Sequence, residues 1–260
     1  MTKPLADRVA LVTGASRGIG AATALALGRA GAHVVAVART VGGLEEIDDA
    51  IRTDGGSATL VPLDLKDYAG IDRLGGALHQ RYGRLDIVIG NAGILGPLSP
   101  LGHVEPKAWD EVFAVNVTAN WRLIRAMDPL LRASAAGRAV FITSGAAWIA
   151  RAYWGPYAIS KAALEALART YASETETTPV RVNLFNPGPI RTRMRAQAMP
   201  GEDPAKLDKP HQVAEKILEL CLPSFTQTGK LYQYPKKMLM KFGEPMPEGE
   251  SQAPTDELPG

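Results

Sequence analysis

A doubly wound α/β fold is predicted by three features of the 260-residue sequence: one domain around a parallel sheet of about seven strands, with helices on both faces. Short apolar runs alternate with helix-period segments of a dozen residues or more, a pattern that calls for right-handed crossovers between parallel strands. A glycine-rich turn, Thr13-Gly14-Ala15-Ser16-Arg17-Gly18-Ile19-Gly20, joins the first apolar run to the first helical one. Composition, 46% hydrophobic and 22% charged, is that of a compact globular chain long enough to bury about three quarters of its unfolded surface.

Taken in order, Val9–Thr13 is the first strand, and 18–30 is helical with Gly31 placed to end it in a left-handed conformation. His33–Ala38 is the second strand, followed by a helix over about 43–52 and a Gly55-Gly56 turn. A third strand, 58–63, precedes a helix over 68–82, and Ile87–Gly90 is the fourth. One long helix is expected over 106–133, then a buried strand over 139–143 and a helix over 153–175. A sixth strand over 180–185, a helix over 210–222 and a last strand over 231–234 complete the domain, set at 1–244. From Pro245 onward Pro, Gly, Glu and Ser dominate, so 245–260 is expected to be a disordered tail.

Several classes of function are disfavoured at once. A net charge of +2 is too small to imply nucleic acid or an anionic membrane as partner. No apolar run reaches the roughly 18 residues of a membrane span. The opening Met-Thr-Lys-Pro-Leu-Ala-Asp-Arg has no apolar signal core, so a cytoplasmic protein is expected. The single cysteine, Cys221, lies in the apolar pattern of Val213, Ile217, Leu218 and Leu220 and reads as core. His33, His79, His103 and His211 are scattered without ligand spacing, so no metal is expected, and His33 at a strand start reads as structural.

Chemistry concentrates between Ser144 and Lys161. Tyr157 and Lys161 are four residues apart, one turn along one helix face. An ammonium there favours the phenolate and should lower a tyrosine pKa from its usual value of about 10 towards useful proton transfer. Pro156 suits a first helical turn, and the Ser144 hydroxyl follows the strand over 139–143, where it can donate to a developing oxyanion. Alone, Tyr-x-x-x-Lys is as readily a chance match. The glycine turn adds context: backbone N–H groups and a helix dipole at a first βα turn cradle pyrophosphate. There Gly14 permits the tight turn, Gly18 the approach to phosphate, and Gly20 close helix–strand packing.

These motifs together resemble the classical short-chain dehydrogenase/reductases over residues 5–234, with a Rossmann-type fold. The ordered matches are Thr13-Gly-x-x-x-Gly-Ile-Gly20, Asp64, Asn91-Ala92-Gly93, Asn116, Ser144, Tyr157-x-x-x-Lys161 and Pro187-Gly188-x-x-x-Thr192, with Ser144 13 residues before Tyr157. The stretch from Arg191 to Pro204 looks like that of an uncharacterised bacterial oxidoreductase subgroup. The resemblance implies an NADP(H)-dependent oxidoreductase that moves hydride between nicotinamide and a carbonyl or alcohol. Tyr157 would be its general acid or base, and Ser144 would polarise the substrate oxygen. Lys161 would depress the tyrosine pKa and bind the ribose, while the Asn116 carbonyl would hold a relay water. Cofactor contacts would come from Gly14, Ser16, Arg17, Gly18, Ile19, Gly20, Arg39, Asp64, Leu65, Asn91, Ala92, Gly93, Tyr157 and Lys161. Pro187, Gly188, Ile190 and Thr192 would complete these contacts, with Thr192 and the backbone near Ile190 holding the carboxamide. Asn116 as an ordinary helix residue and Asp64 as a simple helix cap are the blander readings.

Cofactor choice follows from the second strand's end. Members that prefer NAD carry an acid there; here Ala38 is followed by Arg39, whose guanidinium suits a 2′-phosphate, with Arg17 opposite. NAD(H) is the less favoured cofactor. The substrate pocket is assigned to Ser144, Trp148, Arg151 and Trp154, with Tyr153, Arg191, Arg193, Met194 and Arg195 nearby. Two tryptophans point to an apolar wall, while the arginines read equally as a solvated face. The segment from Gly188 to Pro210 is short for the helical lid usual in the family. A small-residue stripe, Ala158, Ala162 and Ala166, and the resemblance imply a homodimer, or a homotetramer, with the closing segment after 231–234 atypical for tetramer contacts. The alternative function is a non-catalytic NADP(H)-binding sensor.

Overall fold

The computed structural model describes residues 3–242, so the tail expected at 245–260 lies outside the described residues. Eight strands form one sheet in the order β3-β2-β1-β4-β5-β6-β7-β8. They are β1 (Val9–Thr13), β2 (His33–Ala38), β3 (Ser57–Pro62), β4 (Ile87–Gly90), β5 (Arg138–Ile142), β6 (Arg181–Asn186), β7 (Lys230–Gln233) and β8 (Met238–Lys241). The first seven are parallel to one another. Strand order reverses between β1 and β4, so the connections leaving these two strands diverge and open a crevice at their C-terminal ends.

The helices are α1 (Gly18–Arg29), α2 (Val41–Thr53), α3 (Tyr68–Tyr82), α4 (Pro106–Phe113), α5 (Ala119–Arg132), α6 (Gly155–Glu174), α7 (Arg193–Ala198) and α8 (Pro210–Cys221). Alternate strand residues feed two cores. Ala10, Val12, Val34, Ala36, Ile87, Ile89, Val140 and Ile142 pack with Leu27, Ile51, Val213 and Ile217 of α1, α2 and α8. Leu11, Val35, Val37, Val88, Phe141 and Leu184 pack with Ile71, Leu123, Met127, Leu164 and Tyr171 of α3, α5 and α6. Cys221 lies in the first core, fully buried, and burial pushes its thiol up to about 12. His33 bonds Ser57 and Thr59 across the β2–β3 edge at 2.8 and 2.9 Å, a structural role.

Three local features differ from the sequence reading. The long helix is interrupted at Ala114–Thr118 by a π turn that contains Asn116. Arg193–Ala198 is helical, with the Thr192 hydroxyl accepting from the Arg195 N–H at 3.2 Å, in a segment read as too short for a helical lid. An eighth strand, β8, turns back antiparallel on β7 through Tyr234–Lys236 and Lys237, the latter left-handed at φ 52°. Four residues carry too little periodicity to announce a strand; pairing with β7 supplies it. Lys230 opposite Lys241 and the exposed Met238 mark this as a charged sheet edge.

Candidate active site

A cleft of about 900 Å³ opens over the C-terminal ends of β1, β2, β4, β5 and β6. At its floor Gly14 has φ +65°, and a Cβ there would stand 2.8 Å from Asn91 Nδ2 and 3.1 Å from Ala92 Cα. A Cβ on Gly20 would strike the Gly14 carbonyl and the Asn91 amide. Glycine is therefore required at both positions by packing alone. The Thr13 hydroxyl locks the turn to β4: it donates to Ile89 O at 3.1 Å and accepts from the N–H groups of Asn91 and Ala92 at 3.0 and 3.1 Å. Asn91 Nδ2 donates to Thr13 O at 2.8 Å. This knot places Ser16, Arg17, Gly18 and Ile19 along one wall of the cleft, with Gly20 packed beneath.

The start of α1 has no side-chain cap and no acidic residue in its first turn. By contrast, Asp67 caps α3, accepting from Gly70 N at 2.8 Å. The bare N-terminus beside Arg17 is thus open to an anion. Asp64, read alternatively as a helix cap, is not one; that task belongs to Asp67. The Asp64 carboxylate accepts from the Lys66 N–H at 3.0 Å and lies 3.9 Å from Arg39 Nη1, both partners partly exposed at the cleft's outer end. Leu65, Ala92 and Gly93 line the space between.

Ser144, Tyr157 and Lys161 meet at the other end. Pro156 opens α6, and the helical repeat puts Tyr157 and Lys161 on the face turned to β5. Lys161, only 3% exposed, donates to Ile142 O at 2.7 Å. Its ammonium lies 5.8 Å from the centre of the Tyr157 ring. Burial depresses Lys161 to about 8, opposed by the nearby Glu165 charge. The expected lowering of Tyr157 by Lys161 is corrected here: burial dominates and raises the phenol, and the opposing influence is its hydrogen bond with Ser144. Four residues of spacing fix the shared face, but the ammonium donates to the Ile142 carbonyl and makes no direct hydrogen bond to the Tyr157 hydroxyl.

Asn116 does not line the cleft. It is fully buried and ties three elements together: Oδ1 accepts from Ile94 N at 2.8 Å, and Nδ2 donates to Ile94 O and Ser160 Oγ, each at 2.9 Å. Its backbone carbonyl accepts from Asn120 Nδ2 at 2.9 Å. On the far side Asn186 Oδ1 accepts from the N–H groups of Gly145 and Gly188, each at 3.1 Å, which joins the Ser144 loop to the Pro187-Gly188 loop. Pro187, Gly188, Ile190 and Thr192 continue the wall.

The pocket assignment needs correction. Ser144 and Trp154 line the cleft, but Trp148 and Arg151 do not. Trp148 and Tyr153 are 46% and 60% exposed, and the Arg151 guanidinium stacks 5.6 Å from the Trp154 ring centre. The apolar walls near Tyr157 are Leu95, Trp154, Met194 and Ala198, extended by Ala146 and Met199. Arg191, Arg193 and Arg195 also line the cleft, as expected from the sequence. Leu95 and Ala198 carried no recognisable sequence signal, since the β4 loop and α7 reach the site only through folding. Arg195 is paired with Glu202 through two bonds of 2.5 and 2.6 Å. Among the described residues no cluster of ligating side chains could hold a metal, and no helix is long and apolar enough to cross a membrane.

Comparison with known proteins shows the family. The family model described as short chain dehydrogenase matches residues 8–203. The chain is 39% identical over 219 residues to an uncharacterised oxidoreductase, YciK, of Escherichia coli, covering 83% of this chain and 86% of that protein. A short chain dehydrogenase of Shigella flexneri, solved with NADP, superposes with a TM-score of 0.85 at 38% identity, over 89% of this chain and 98% of that one. One of E. coli CFT073, solved with NADPH, does so at 0.83 and 38%, with the same coverage.

Proposed function

The chain belongs to the short chain dehydrogenase family, and from that premise we propose an NADP(H)-dependent oxidoreductase acting on carbonyls or alcohols with apolar substituents, with Tyr157 as general acid or base. The carrying observation is that one cleft joins a bare helix N-terminus flanked by Arg17 and Arg39 to the Ser144–Tyr157–Lys161 group. The residues present fit a dinucleotide phosphate: α1 offers unpaired N–H groups to the pyrophosphate, and Arg39 and Arg17 offer charge to a 2′-phosphate. Gly93 leaves room beside Lys161, where a Cβ would stand 3.5 Å from Nζ. When bound, the nicotinamide supplies or accepts the hydride.

Within this reading, Ser144 orients the substrate oxygen and Tyr157 donates the proton during reduction. Burial keeps the phenol protonated near neutral pH, the state a proton donor needs. Lys161 holds the ribose and carries the charge next to the phenol. The wall of Leu95, Trp154, Met194 and Ala198 excludes water and favours apolar groups. Of the arginines lining the cleft, Arg195 is already neutralised by Glu202. The NADP and NADPH complexes of two relatives support the cofactor assignment.

The test separates enzyme from sensor. NADPH oxidation is followed with a panel of aldehydes, ketones and diketones, and Tyr157→Phe is compared on any that react. Turnover should fall at least about a hundredfold, the low end for a positioned acid–base group, with NADPH affinity nearly unchanged. Lys161→Ala should lose both binding and turnover. Wild-type turnover by Tyr157→Phe overturns the mechanism.

A further inference from the structure

Glu165 is a buried carboxylate that this mechanism does not use. It lies one helical turn beyond Lys161 on α6, as Lys161 lies one turn beyond Tyr157, and is 8% exposed. Thr143 Oγ1 donates to its Oε1 at 2.7 Å. Three consecutive residues at the end of β5 thus each serve one residue of a single stripe on α6. Ile142 O accepts from Lys161, Thr143 donates to Glu165, and Ser144 is the side chain that acts on the Tyr157 phenol. A carboxylate is costly to bury unless it is bonded or paired. No ion pair within 4.0 Å joins it to a cation among the described residues, and the charges that act on it, Arg169 and Lys161, lie on its own helix.

We propose that Glu165 is a positioning residue for the Tyr157–Lys161 pair, its ionised carboxylate keeping the Lys161 ammonium charged while Thr143 anchors it to β5. The proposal rests on the oxidoreductase reading for its catalytic consequence but not for its electrostatic one. Lys161 and Arg169, both on α6, are the charged groups that act on Glu165, with the Thr143 hydroxyl from β5. The π turn and the Gly145–Ala147 turn contain no ionisable side chain, and β6 has one, Arg181, in register with Arg138 at the opposite end of the strands. On α4 the ionisable side chains are Lys107, Asp110 and Glu111. Burial raises Glu165 to about 7, so its charge is present on the alkaline side of neutrality, where Lys161, held near 8, begins to lose its proton. Below neutrality the protonated carboxyl is close to a glutamine in shape and charge.

The experiment follows the Lys161 side chain by NMR of protein labelled at lysine Cε, with Lys161→Met assigning the signal. Glu165→Gln should lower the Lys161 midpoint by about one pH unit, the scale of removing a unit charge one turn away in a buried site. Glu165→Asp, which keeps the charge, should restore most of it. Turnover of Glu165→Gln should match wild type at pH 6 and fall behind by about fivefold or more at pH 8.5. An unmoved Lys161 midpoint, or a deficit of the same size at every pH, overturns the proposal. If Glu165→Gln fails to fold, Thr143→Val serves instead: it removes the bond favouring the carboxylate and should lower the Lys161 midpoint by a smaller amount, and no movement there overturns the proposal equally. The lysine titration decides the matter even if no carbonyl is reduced, so failure of the oxidoreductase reading remains a separate result.

Discussion

Arg39→Ala probes cofactor choice without needing a substrate. The Arg39 side chain is 58% exposed and its Nη1 lies 3.9 Å from Asp64 Oδ2 at the cleft's outer end. Two unit charges 4 Å apart attract by about 1 kcal/mol in bulk water and about 4 kcal/mol at an effective dielectric constant of 20. Exposure places Arg39 near the weaker limit, and Asp64 already engages part of its charge, so about 1.4 kcal/mol is expected for a 2′-phosphate, or tenfold in affinity. Fluorescence titration should show NADPH binding at least about tenfold tighter than NADH to the wild type. Arg39→Ala should erase most of that ratio while leaving NADH affinity nearly unchanged. Because the pair is exposed, the ratio should also shrink as salt rises. Equal binding of both cofactors by the wild type, or a ratio untouched by the substitution, refutes the assignment.

Other perturbations follow from the same geometry. Asp86, 3% exposed, accepts from Val9 N at 2.9 Å and Ser134 Oγ at 2.6 Å and pairs with Arg8 and Arg84; Asp86→Ala should cost about 3–5 kcal/mol in urea denaturation, and a loss below about 1 kcal/mol contradicts the network's role. Glu165 is raised from 4.5 to about 7 by burial, so between those values the folded chain holds a proton that the unfolded chain has released. That contribution to stability is complete below pH 4.5 and is lost as pH rises towards 7, by about 3 kcal/mol. Urea midpoints of Glu165→Gln should lack this decline, and parallel pH dependence in the two proteins rules it out. Exposed Trp121 on α5 and Ile159 on α6 suit pairing of two copies; sedimentation at micromolar concentration should report a dimer, and a monomer would sink that expectation.

How far the sequence reaches depends on the range of the interaction. The element order, the parallel sheet and the glycine turn follow from local patterns: apolar runs, a 3.6-residue repeat, and glycines where a Cβ has no room. Tyr157 and Lys161 share a helix face by spacing alone, and Ser144 is marked by its place at a strand end. Tertiary structure decided what those groups feel. The Lys161 ammonium donates to the Ile142 carbonyl, and burial raises the Tyr157 phenol, reversing the direction inferred from spacing. Trp148 and Arg151, near Ser144 in the chain, turn away from the cleft, while Leu95 and Ala198, distant from it in sequence, form its wall. Strand β8 exists because β7 offers an edge, and the π turn places Asn116 against Ile94 and Ser160. Sequence periodicity specifies which face a residue occupies; which partner waits on that face, and hence its charge and access to the cleft, is set by contacts between segments far apart in the chain.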